Sequence, residues 1–103
     1  MMPIEHLEVA AQACRKYAKA METRVHHDRS AARFKWESEI PECEFPPATL
    51  SRRFRISWSQ AFEGLSDELR PYFEHEWHYY CPLLVAETIE QHIKERRAND
   101  RRT

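Results

Sequence analysis

Apolar positions recur with a helical period through most of this chain. Ile4, Leu7, Ala11, Cys14, Ala18, Met21 and Val25 are separated alternately by three and four residues, which predicts one long helix opening at Pro3. The middle of this seam is small (Ala11, Cys14, Ala18), so a partner helix could approach closely there. Two partners fit: the chain's own later helices, or a second copy. In a two-fold dimer Leu7, Ala11, Cys14, Ala18 and Met21 would form an isologous seam. Leu50, Phe54, Trp58, Ala61, Phe62 and Leu65 fall within an arc of ~120°, predicting a second amphipathic helix. Thr49 is placed to cap its start, and Gly64 to end it. Val85, Ala86, Ile89 and Ile93 mark a last apolar stripe, with His92 at its edge.

Between the last two lies PYFEHEWHYYCPLL, residues 71–84, which holds Tyr72, Phe73, Trp77, Tyr79 and Tyr80. On a helix these five rings share an arc of roughly 160°, while Glu74, His75 and His78 take the other side. The pattern predicts an aromatic helix opened by Pro71 and ended near Pro82.

Turn chemistry narrows the fold class. The chain has one glycine, Gly64, and one asparagine, Asn99, so tight hairpins that need positive φ are hard to build. Residues 41–48, PECEFPPA, read as a proline-rich link. The expectation is an all-α, single-domain bundle of about four helices over residues 1–98, with a flexible basic tail at 99–103. Residues 32–40 and 52–59 also alternate as strands would, which leaves an α+β fold with an aromatic hairpin as the competing architecture.

Length and composition set the outer limits. At 103 residues there is room for one core, and an apolar content of 42% argues for a folded chain. A formal charge of −1 gives no overall pull toward nucleic acid or anionic lipid. Three widely spaced cysteines suit a reducing compartment, and the start lacks the basic-then-apolar order of a secretory signal. A cytoplasmic protein with no membrane partner is expected.

Candidate chemistry is sparse. His75, His78 and Cys81 could be offered to a borderline metal, but His75 and Cys81 lie ~120° apart or more on one unbroken helix. No metal or other cofactor is expected. A Gly-rich loop is missing, so no phosphate cradle or nucleophile elbow is expected, and no enzyme. Charge is segregated instead. Glu37, Glu39, Glu42 and Glu44 make residues 37–50 purely acidic, and Arg52, Arg53 and Arg55 follow as a basic cluster. Together with Trp36 and Tyr79 these residues form the candidate surface for a protein partner. The function expected is a small adaptor, regulator or stoichiometric inhibitor of a larger assembly, a profile shared by small inhibitors carried on phages and mobile elements. The alternative is a nucleic-acid accessory protein using Arg52, Arg53, Arg55 and the basic end Lys94, Arg96, Arg97, Arg101 and Arg102.

Overall fold

A computed structural model of the chain describes residues 1–24 and 43–102, with side chains of residues 21–24 and 102 outside the description. The fold is all-α. Its helices are α1 (Ile4–Arg24), α2 (Pro46–Phe54), α3 (Trp58–Leu69) and α4 (Pro82–Arg102), with no strand among the described residues. The hairpin alternative fails at residues 52–59, which hold the end of α2 and the start of α3; residues 32–40 lie outside the described residues.

The two long helices form the frame. Glu8 pairs with Arg97 at 2.6 Å, and Arg15 with Glu90 at 2.6 Å. Seven residues forward on α1 (8 to 15) is seven back on α4 (97 to 90), so the two run antiparallel in one register. Both pairs are about half exposed and so contribute little to stability. The stability of the frame comes from what lies between them. Leu7, Ala11, Cys14 and Ala18 of α1 are buried, as are Val85, Ala86, Ile89 and Ile93 of α4.

Of the two partners the seam could take, the structure shows it used inside the chain, with Leu7, Ala11, Cys14 and Ala18 buried. Side chains this buried offer a second copy no surface; Met21 lies outside the described side chains, and Val25 outside the described residues. Val9 and Ala10 are buried too, because α1 packs on α2 as well as on α4. A helix held on two sides needs a wider apolar stripe than a single seam.

α2 begins at Pro46, ahead of the expected Thr49. Pro46 and Pro47 occupy the first turn, where a missing N–H costs no hydrogen bond. The Ala48 amide donates to the Phe45 carbonyl at 2.9 Å. The helix expected over residues 50–65 is broken in two. Arg55 takes the left-handed conformation, φ 56° and ψ 39°, and is the one non-glycine residue with positive φ among those described. Ser57 then opens α3 with a reciprocal capping box. Its Oγ accepts from the Gln60 amide at 3.0 Å, while Gln60 Oε1 accepts from the Ser57 amide at 3.1 Å.

Gly64, expected at a helix end, sits in the middle of α3. A Cβ there would lie 2.6 Å from Cε of Met2, so the missing side chain makes room for the buried methionine.

The aromatic stretch is not a helix. It forms two single 3-10 turns, Arg70–Tyr72 and Trp77–Tyr79, joined by irregular chain. A helix would need one broad apolar surface to receive all five rings. Instead the rings go different ways: Trp77 is buried, Phe73 and Tyr80 pair at 4.4 Å, and Tyr72 and Tyr79 face outward. At the other end, α4 stays helical through Arg102, where a tail was expected from residue 99.

Two stability predictions follow from these positions. Cys14→Glu would bury a carboxylate beside the Glu90 charge, so it should abolish the cooperative thermal transition in circular dichroism; a folded variant that merely changed oligomeric state in light scattering would contradict the internal seam. Arg55→Gly relieves a left-handed backbone that costs an L-residue about 1–2 kcal/mol, so urea melts should show a stabilised protein, by up to about 1 kcal/mol after glycine's own entropy loss.

Candidate interaction surface

The break between α2 and α3 decides where Trp58 points. On one continuous helix Trp58 would lie above Leu50 and Phe54 in the buried stripe. With the register reset at residues 55–57, it opens α3 and remains 47% exposed. It stacks on Phe62 one turn later, with ring centres 5.2 Å apart and planes 8° from parallel. Phe62 lies 5.3 Å from the His78 ring, which lies 4.4 Å from Tyr79. Tyr79 is 42% exposed. Trp58, Phe62, His78 and Tyr79 thus form one aromatic ridge with exposed ends.

The ridge stands on a second layer. Phe45 stacks on buried Trp77 at 5.3 Å and lies 6.2 Å from Trp58, so α3, the residue before α2 and the second 3-10 turn are held together by rings. Trp77 is fixed further by donating from Nε1 to Ser66 Oγ at 3.0 Å. His78 Nε2 lies 3.1 Å from Glu76 Oε2, while its Nδ1 is buried with no hydrogen-bond partner among the described residues. Leaving such an atom unpaired costs about 1–3 kcal/mol.

Beside the ridge opens a cleft of about 480 Å³, with Arg70, Phe73, Glu74, Glu76, Trp77 and Tyr79 on its walls. Arg70 is partnered by Asp67 at 2.9 Å. The cleft therefore offers ring faces next to carboxylates.

A separate polar clasp ties the far end of α3 to the frame. Glu68, whose side chain is 8% exposed, accepts from the Met2 amide at 2.7 Å and bonds His92 Nε2. Arg96 lies 3.7 Å from the same carboxylate and donates to the Met2 carbonyl at 2.5 Å. On the other side of His92, Nδ1 lies 2.7 Å from the Tyr72 hydroxyl, which is 2.9 Å from Glu95. That hydroxyl has one hydrogen to give. It serves Nδ1 or Glu95, and in either arrangement Nε2 keeps the hydrogen it presents to Glu68.

Burial alone would push the Glu68 carboxyl up, but the His92 hydrogen bond, the Met2 amide and the Arg96 charge together hold it below the ordinary value. Tyr72 is pushed up to about 12, by burial first and then by its hydrogen bond to Glu95. A phenol kept protonated in this way is a poor nucleophile, although a carboxylate, an imidazole and a hydroxyl stand in line. Burial, with the Glu90 charge, likewise pushes the Cys14 thiol well up, away from the reactive thiolate.

The residues singled out by sequence are scattered. Glu44 bonds Arg52 at 2.7 Å, so one acid of the link and one base of the cluster neutralise each other. Arg53 and Arg55 are exposed at the end of α2, and Tyr79 belongs to the ridge. Trp36, Glu37, Glu39 and Glu42 lie outside the described residues. Cys81 is buried, His75 is exposed with its amide donating to the Tyr80 hydroxyl at 3.3 Å, and His78 faces Glu76. No group of three or more metal-ligating side chains comes together among the described residues.

Trp58, Phe62 and Phe45 were missed as a surface, as were Glu68 and Tyr72 as partners of His92. The Ser57-x-x-Gln60 spacing was the available signal for the first group, since it marks a helix start immediately before Trp58. No helix of the described residues is long and apolar enough to cross a membrane. No protein-family model, curated protein or solved structure matches this chain.

The clasp generates a pH prediction. A carboxyl held below its ordinary value of 4.5 contributes stability that is fully present above that value and is lost as pH falls through the folded one. Urea melts should therefore weaken below about pH 4.5, with Glu68→Gln showing a shallower acid limb and about 1–3 kcal/mol less stability at neutral pH. Equal acid limbs in wild type and variant would show that the clasp contributes nothing to acid sensitivity.

Proposed function

We propose that this chain is a protein-binding module, an adaptor or stoichiometric inhibitor of a larger assembly, that docks through the ridge Trp58–Phe62–His78–Tyr79. The observation that carries the reading is Trp58, nearly half exposed yet stacked on Phe62. A tryptophan stacked in this way presents a large amphipathic surface at low entropic cost to a partner, and such residues dominate interface energetics. The mode of action is stoichiometric occupation of a partner's surface, and a cytoplasmic setting fits three cysteines in the thiol form.

Three cations of the nucleic-acid reading are used inside the chain. Arg52 is paired with Glu44, Arg97 with Glu8, and Arg96 with the Met2 carbonyl beside Glu68. Phosphate contacts would have to compete with these internal bonds.

The test is affinity capture from the native host by wild type and by Trp58→Ala in parallel, followed by titration of the captured partner. The truncation should weaken binding by about 2 kcal/mol or more, roughly thirtyfold, with the thermal transition kept. A partner held equally by both proteins would place the interface elsewhere.

A further inference from the structure

The charges around the ridge say what kind of partner segment it suits. Of the acids between Ile56 and Glu90, Glu68 is held in the clasp and Glu90 by Arg15, which leaves Glu63 beside Phe62 and Glu74 and Glu76 at the cleft, against one base, Arg70. That single base is already paired with Asp67, at the cleft. Glu63 follows Phe62 on α3 and is exposed, while Glu74 and Glu76 line the cleft together with Phe73, His75, Trp77 and Tyr79. The Glu76 side chain is 63% exposed despite its bond to His78. Tyr79 belongs to both the ridge and the cleft, so the rings of the one adjoin the carboxylates of the other.

This is the chemistry that receives a guanidinium. A planar cation stacks on an aromatic face and presents its N–H groups at the edge, where a carboxylate accepts two of them. Lysine has the charge without the plane, so it gains from the carboxylates and less from the rings. We propose that the cleft and ridge take an arginine-bearing segment of a protein partner, with the guanidinium in the cleft between Tyr79 and the Glu74 and Glu76 carboxylates. A volume of about 480 Å³ accommodates an arginine side chain with its neighbouring backbone. The inference rests on the protein-binding reading and adds the chemical class of what is bound.

Calorimetric titration tests it with three capped peptides of equal length, alternating glycine with arginine, lysine or glutamate. The arginine peptide should bind most tightly, the lysine peptide several-fold more weakly, and the glutamate peptide not at all. Tyr79→Ala should cost about tenfold, and Glu74→Gln or Glu76→Gln about two- to fivefold each, with the loss growing as salt is lowered. The two amide variants are exposed and isosteric, so a retained thermal transition separates lost binding from lost folding. Arg53→Ala should leave arginine-peptide binding unchanged.

Equal affinity for the arginine and glutamate peptides, or none for either, overturns the proposal. So does tight binding of a single-stranded oligonucleotide that Arg53→Ala abolishes, which would place the cations and not the carboxylates at the working surface. If a captured partner depends on Trp58 while no arginine peptide binds, the protein-binding reading stands and this inference falls. If neither holds, both fall.

Discussion

The antiparallel contact between α1 and α4 is the constraint on which the rest of the structure depends. Its core positions on α1 are small, and small side chains permit close helix approach only when the register is kept. The exposed pairs Glu8–Arg97 and Arg15–Glu90 are individually weak, but they are spaced one heptad apart on both helices and favour a single register. α2 lies against α1, and α3 lies against α2. The Glu68 clasp closes the assembly, because one carboxylate holds the Met2 amide at the start of the chain and both His92 and Arg96 near its end.

What was legible in the sequence is what periodicity encodes. Leu7, Ala11, Cys14 and Ala18 of the three-four seam on α1, and the stripe Val85, Ala86, Ile89 and Ile93 on α4, are buried as their spacing predicts. The scarcity of glycine and asparagine correctly pointed to helices. Periodicity failed where the chain changes direction. Leu50, Phe54 and Trp58 keep a helical spacing across a break that spacing cannot reveal, since an arginine in the left-handed conformation carries no sequence signature of its own. Gly64 was misread for a related reason: its role is set by Met2, sixty-two positions away, and no local rule could supply that contact.

The aromatic stretch shows a different limit. Five rings within one helical arc looked like a buried face, but the arc describes only what a helix would do if it formed. Pro71 and Pro82 bracket the stretch, and the chain gains more by sending Trp77 inward to Phe45 and Ser66 while pairing Phe73 with Tyr80. Separate destinations satisfy the indole N–H and bury the largest ring, which a single helix face resting on a small core would not do.

The break at Arg55 and the exposure of Trp58 are best understood together. A left-handed arginine costs the fold on the order of 1–2 kcal/mol, and the Ser57–Gln60 capping box recovers about 1 kcal/mol of it at the start of α3. A continuous helix would avoid the strain and place Trp58 with Leu50 and Phe54, toward the core. The chain instead adopts the costlier backbone and leaves a tryptophan nearly half exposed, stacked on Phe62 and continuous through His78 with Tyr79. The break also turns α3 back on α2, so that Ala61, Leu65 and Leu69 are buried in one core with Leu50. What the turn leaves outside is the exposed ring of Trp58 and, at the cleft, the ring of Tyr79 beside the Glu74 and Glu76 carboxylates.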